Sequence, residues 1–393
     1  MLRNFRDHFL QCSGVRFLFS NKVTVACLVL LFILTFWGTI DQVSSGLYLA
    51  QEKFFHSWFF TLGGFIPFPG ARLVMWVLAL NLIGVALTGF TYRWSNLGNT
   101  MTHGGLLLFF VAAFVTFHGT RESGISLLEG DGTNMSLTYH DWELSLWQEK
   151  DGKQHVVAID TARFKKGRAL DFGEYGLSVV IKEYYPNAEA FLAPAPETEP
   201  QPKAAEILNA SGINKLQGAA LEKEPEKNIP GGIFLVHGAG QPDVPVLLFG
   251  GEEKPARILP APGSPDGLRL ALRRKRLPLP FVLKLKDFTM ERHPNTSMAR
   301  SYTSLVEVVT PEASREVLIS MNNPLRYNDF TIYQSSYAIR EDGREESTLA
   351  VVKNSGRLLP YVASGVTFAG LALQLLMMAF GPDRKKSGKS RDG

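Results

Sequence analysis

Three histidines in this sequence stand in or beside uncharged apolar runs, and they are the residues best placed to do chemistry. His103 opens the run 101–119, His118 closes it, and His56 lies in the aromatic stretch EKFFHSWFF. A neutral imidazole is a good ligand for iron or another borderline metal. An ionisable side chain inside an apolar span is a functional candidate by default. His103 and His118 are 15 residues apart, roughly 22 Å along a helix. They cannot grip one metal together and would instead mark two stations. The rival reading makes His103 a helix cap or a headgroup contact, and residue chemistry alone leaves both open. His140, His155, His237 and His293 show no metal-ligand spacing. HExxH, CxxCH and GxxxxGK[ST] are all absent, and no Ser–His–Asp arrangement follows from spacing. No residue is assigned a catalytic role.

The elements that must position these side chains are apolar helices. Residues 23–40, 73–90, 101–119 and 358–380 contain no Asp, Glu, Lys or Arg. Each reaches the roughly 17–25 residues that cross a hydrocarbon core. The first run is read as a retained anchor rather than a signal peptide, because no small-x-small cleavage site follows Thr39. Residues 1–22 carry four basic residues against one acid, and the tail 381–393 five against two. The positive-inside rule then puts both termini in the cytoplasm. The external loop is 41–72, the cytoplasmic link 91–100, and residues 120–357 lie outside. These topology charges account for much of the net +4, so no nucleic-acid partner is needed.

Residues 120–357 contain short, often alternating segments such as DWELSLWQ, LSVVIKEYY, LRLALRRKR (268–276) and FVLKLKDFTM (281–290). Gly, Pro, Asn and Asp separate them, which predicts antiparallel β structure, a sandwich or an open barrel. The fold class expected is therefore mixed: a four-helix transmembrane frame, three spans and then one, holding a large extracytoplasmic antiparallel β domain. The Pro-, Ala- and Glu-rich stretch about 190–230 reads as a flexible insert. The only two cysteines are Cys12 and Cys27, so the β domain has no disulfides and the chain has no CxxC of its own. The basic run Arg273, Arg274, Lys275 and Arg276 faces either lipid headgroups or solvent at a strand end.

MNNPLRYNDFTIYQSSY (321–337) is the densest unusual stretch. Asn322 and Asn323 favour a turn, and Pro324 pushes its predecessor toward extended geometry. Leu325, Tyr327, Tyr333, Gln334, Ser335 and Tyr337 follow. The stretch is either a fold-defining turn and strand or a docking surface.

These residues resemble the ResB (CcsB-type) family, membrane proteins of the cytochrome c maturation system that pairs ResB with ResC, also called CcsB and CcsA. The resemblance lies in SNKVTVACLVLLFILTFWGTIDQ, GLYLAQEKFFHSWFF, DFTMERHPNTSMARSYTSLVEVV, NNPLRYNDFTIYQSSY and LAVVKNSGRLLPYVASGVTFAGLALQ. It implies a subunit of a haem-handling cytochrome c synthase complex in the cytoplasmic membrane. That complex moves or holds haem b and presents it to the reduced CxxCH thiols of apocytochrome c. Such a subunit is non-catalytic alone. The family's haem-binding histidine falls on His103; His118 and His56 gain no such support. The implied partners are a ResC/CcsA-type protein, apocytochrome c and a thiol-reducing protein acting on it. The first alternative is a scaffold that binds no haem, stabilises the partner and recruits apocytochrome. A transporter of another amphipathic molecule would have only Asn81 and the end histidines for support. An envelope sensor would have a cytoplasmic tail of only about 13 residues, too short for a signalling module.

Overall fold

The structure is a computed structural model. It describes residues 13–88, 94–150, 152–192, 212–238, 241–252, 256–258, 267–294, 296 and 299–380. Arg3, Arg6, Asp7 and Cys12, residues 89–90 of the second run, Arg93 and the basic tail lie outside the described residues. The chain forms two compact units: Met1–Arg121 with Lys353–Gly393, and Glu122–Val352.

The first unit is helical. It contains α1 (Ser13–Leu18), α2 (Asn21–Ser45), α3 (Leu47–Gln51), α4 (Ala71–Thr88), α5 (Leu97–Gly119) and α6 (Leu359–Phe380). Three of these, α2, α5 and α6, are long and apolar enough to cross a membrane; α4 carries a shorter apolar stretch, Ala71–Leu87. Helix α2 runs past residue 40 and ends at Gly46, whose φ of 84° an L side chain would resist. The segment between α2 and α4 is structured. A π-helical turn, Glu52–His56, follows α3, and β1 (Phe59–Leu62) pairs antiparallel with β2 (Ile66–Pro69). Leu34 of α2, Val74 of α4, Phe54 and Phe60 share one core.

Asn81 of α4 is 1% exposed. Its Oδ1 accepts from Thr24 Oγ1 at 2.7 Å, and its Nδ2 donates to Leu18 O at 2.6 Å and to Ser20 O at 3.1 Å. A buried amide so fully paired locks the start of α2 against α4. That structural duty removes Asn81 as support for a transport path.

The second unit is an antiparallel β structure. Its strands are β3 (Arg121–Leu128), β4 (Gly132–Lys150), β5 (Lys153–Asp160), β6 (Ala169–Phe172), β7 (Leu177–Tyr185), β8 (Ala188–Phe191), β9 (Lys215–Gly218) and β10 (Gly231–Gly238). They continue as β11 (Gln241–Phe249), β12 (Ala256–Ile258), β13 (Leu268–Arg292), β14 (Ala299–Val309), β15 (Ser314–Ser320), β16 (Leu325–Tyr327), β17 (Phe330–Ile339) and β18 (Glu345–Lys353). The large sheet has the order β15-β14-β13-β4-β3-β18-β17-β16, with β5 on β4 and β12 on β13; a second sheet runs β11-β10-β7-β6. Of the insert expected at 190–230, residues 190–192 and 212–230 are described; they include the end of β8, its partner β9, and the buried Ile213 and Leu216.

Strand β13 joins two cores. Leu268, Leu270 and Leu272 pack with Phe172, Ile181 and Phe234 of the second sheet. Phe281, Leu283 and Leu285 pack with Val306, Ile332 and Leu349. The sequence suggests two strands here because Pro278 and Pro280 read as breakers. The structure makes one long strand whose pairing with β4 shifts between Pro278 and Leu283. Proline is tolerated at such an irregularity, where the ladder does not need its missing N–H.

Candidate functional site

His103 lies half-buried on α5, with its Nδ1 2.9 Å from the Asn99 carbonyl oxygen one turn earlier. A carbonyl only accepts, so Nδ1 carries the hydrogen and the lone pair of the neutral ring sits on Nε2. That is the tautomer and the kind of orienting bond found behind metal-bound histidines. The turn that holds the ring is itself held by α6. The Asn99 N–H donates to Gln374 Oε1 at 3.0 Å, satisfying one of the first-turn donors that a helix leaves open. The helices meet backbone to backbone through glycine. A Cβ on Gly98 would stand 2.4 Å from Gln374 N, one on Gly105 2.7 Å from Thr367 N, and one on Gly370 2.5 Å from Thr102 N. Small residues permit this approach, common between membrane helices.

The other two histidines come together elsewhere in the same unit. A cavity of about 540 Å³ opens between α2, the π-helical turn, α4 and α5, and its lining includes His56, His118 and Arg72 among apolar side chains. His118 Nδ1 lies 3.0 Å from Phe114 O, and His56 Nδ1 lies 2.6 Å from Glu52 Oε1. Each imidazole meets the Phe117 ring edge to face at 5.1 Å between centroids. The Arg72 guanidinium lies over Trp58 at 4.9 Å and over Phe117 at 5.8 Å. Among the described residues it has no carboxylate partner. His103 is not part of this lining. Sequence reasoning missed Arg72, since nothing local marks an arginine two residues into a helix as facing two histidines.

The 321–337 stretch forms a hairpin edge in the second unit. Asn323 exchanges backbone hydrogen bonds with Ser320, and its Nδ2 donates to Leu318 O at 3.2 Å. Pro324 is half-buried and Asn322 exposed; Leu325 is 2% exposed. Strands β16 and β17 close at Tyr327 and Phe330 around Asn328, whose φ of 48° is the left-handed geometry that tight hairpins need. Tyr327 packs edge-on against Phe281, and Tyr337 meets Tyr302 and Phe288 with tilted rings. Gln334 is buried. Its Oε1 accepts from Ser304 Oγ at 2.7 Å, and its Nε2 donates to Ser347 Oγ at 3.1 Å. Ser335 O accepts from the Tyr302 hydroxyl at 3.1 Å. Ser304 and Tyr302 belong to β14, which is no ladder neighbour of β17, so these bonds, the first buried and the second exposed, tie together strands that the ladder keeps apart. Tyr333 stands 40% exposed on the outer face, beside exposed Ser335.

Three of the four residues of the basic run make contacts within the β unit, and Arg276 is exposed. Arg273 Nε donates to Glu143 Oε1 at 3.0 Å, and its guanidinium lies over Trp147 at 5.1 Å. Burial, then neighbouring Arg276, lowers its pKa against the pull of Glu143. Arg274 covers Trp142 at 4.3 Å and donates to the carbonyls of Tyr139 and Glu226. Lys275 Nζ pairs with Asp160 Oδ2 at 2.7 Å. Stacking on tryptophan faces accounts for Arg273 and Arg274, and a carboxylate partner for Lys275, without a lipid surface.

Fold and site together define a protein with helices able to cross a membrane, a large antiparallel β unit, and imidazoles set in apolar helix surroundings. The sequence profile of the ResB-like family matches residues 265–374, so the family this chain resembles is the ResB-like one. The matched stretch runs from β13 through the hairpin into α6. Protein NrfI of Wolinella succinogenes is 35% identical over 109 residues, 27% of this chain and 12% of that protein. Cytochrome c biogenesis protein CcsB of Prochlorococcus marinus is 38% identical over 60 residues, 15% of this chain and 14% of that protein. The matches thus span about an eighth of each relative's own length.

Proposed function

We propose that this chain is a membrane subunit that handles haem during cytochrome c maturation. The observation that carries the reading is His103. Its ring is fixed through Nδ1 on a helix able to cross a membrane, in a chain whose β unit and last helix carry the ResB-like segment. The name of the CcsB relative points to the same process. In this reading Nε2 of His103 ligates haem iron, and a ResC/CcsA-type partner supplies the second axial ligand. The chain holds or moves haem b, and the complex presents it to the reduced CxxCH thiols of apocytochrome c. Bringing haem and thiols together is the main contribution to attachment. The β unit has no cysteine, so a separate thiol-reducing protein keeps the apocytochrome reduced. The termini are cytoplasmic and the β unit is extracytoplasmic.

The test is co-purification with the ResC-type partner. The wild-type complex should carry a haem spectrum, and His103→Ala should weaken it and lower haem content several-fold. Haem content and spectrum unchanged in His103→Ala would favour the scaffold reading.

A further inference from the structure

The cavity holding His56, His118 and Arg72 is not used by the proposed His103 site. Its volume, about 540 Å³, is that of a pocket for a small organic molecule. Its walls are apolar and aromatic, Trp76, Phe114 and Phe117 among them, which suits a flat apolar body. Its charge is one guanidinium. Arg72 is stacked on Trp58 and Phe117 and, among the described residues, lacks any carboxylate. A cation set on aromatic rings in apolar surroundings, with its own side-chain anion missing, favours a ligand that brings the anion.

The imidazoles narrow the class further. Both have Nδ1 tied to an acceptor, the Phe114 carbonyl for His118 and the Glu52 carboxylate for His56. In the neutral form each then carries its lone pair on Nε2, as a metal-ligating histidine does. A bare cation is a poor occupant, since among the described residues no group of three or more His, Cys, Asp or Glu can hold one. A metal already held in a ring needs only one or two further ligands. An acyl chain or lipid phosphate would use Arg72 but leave the oriented imidazoles without purpose.

We infer that this cavity is a second haem station, in which Arg72 pairs with a propionate and an imidazole of the His56–His118 pair ligates the iron. This deepens the haem-handling reading and rests on it, yet uses none of the His103 surroundings. The assignment gives the chain two sites for one cargo, distinct along α5.

The experiment is a hemin titration of the purified full-length chain in detergent, read by the Soret band, with metal-free protoporphyrin IX as a second probe. All variants are made in a His103→Ala background, so that the first site is silent. Hemin should still bind there with a shifted Soret band. Arg72→Gln should weaken it about tenfold, and Arg72→Lys should restore part of the loss. His56→Ala combined with His118→Ala should abolish the band shift while leaving protoporphyrin binding in place. Thermal unfolding of each variant should match the background, separating lost binding from lost fold. Hemin affinity and Soret position unchanged in both Arg72→Gln and the double histidine variant would overturn the second station and leave the His103 reading intact. Loss of all hemin binding in the His103→Ala background would also overturn it, while supporting His103.

Discussion

Arg273 and Glu143 are 15% and 9% exposed and meet at 3.0 Å, 130 positions apart in the chain. Removing one partner of a largely buried pair strands the other charge, whereas removing both is far cheaper. Glu143→Ala should therefore cost about 3 kcal/mol, and Arg273→Met combined with Glu143→Leu much less. The denaturant midpoint of the purified chain, followed by tryptophan fluorescence, reads both, with Trp147 under Arg273 as a local reporter. A double variant as unstable as the sum of its singles would contradict the coupling. A second pair makes stability depend on pH. Burial alone would raise the Asp160 pKa, but hydrogen bonds from Lys275 and the Ala162 N–H, with the charges of Lys275 and Arg163, hold it below the ordinary 3.8. The unfolded chain then binds the proton more readily than the folded one. The stabilisation is full above the unfolded value and disappears as pH falls through the folded one. Asp160→Asn should lower stability at neutral pH, and the gap to wild type should close as pH drops below about 4. A gap independent of pH between 7 and 3 would show that the carboxylate is not the stabilising group.

Helices α5 and α6 pack through backbone contact, so their glycines divide into two kinds. A Cβ at Gly105 would lie 2.2 Å from Thr367 Oγ1 and 2.7 Å from its backbone nitrogen, while one at Gly104 meets nothing within 4 Å. Alanine is the better helix former by up to about 1 kcal/mol, so Gly104→Ala should hold or raise the melting temperature in detergent. At Gly105 the backbone must yield, and overpacking of about 1–3 kcal/mol outweighs that gain. Gly105→Ala should lower the melting temperature; equal melting of the two variants would place the helix contact elsewhere. The helices themselves were readable from uncharged runs, because crossing a bilayer leaves a compositional mark. The glycines were visible too, but not which of two neighbours faces α6. In the β unit, alternation announced the strands, yet Pro278 and Pro280 split β13 in two, since their tolerance depends on a register shift against β4 that no local pattern encodes. Arg72 was hidden for the same reason. Its meaning comes from α2, α4 and α5 closing around one cavity.

For the whole molecule, sidedness reduces to parity. The β unit lies between α5 and α6 in the chain, and both ends of the sequence carry excess positive charge, four against one and five against two. Like-sided termini require an even number of crossings. Helices α2, α5 and α6 are long and apolar enough to make three, so the outcome turns on α4. Its 18 residues, Ala71–Thr88, extend about 27 Å against a hydrocarbon core of about 30 Å. Its one charged residue, Arg72, stands in the first turn, so the remaining residues of the helix are uncharged. Helix α4 should therefore cross, putting both termini in the cytoplasm and the β unit outside. The check is a chain with Cys12 and Cys27 replaced by serine and one new cysteine at a time, probed with a membrane-impermeant maleimide in intact spheroplasts. Ser314→Cys, exposed in the β unit, should label at once, and Ser387→Cys in the basic tail only after permeabilisation. The reverse pattern, with Ser387→Cys labelled and Ser314→Cys protected, would mean that α4 does not cross. The β unit would then face the cytoplasm, where apocytochrome is not handled in the proposed reading, so this single labelling result bears on function as directly as on topology.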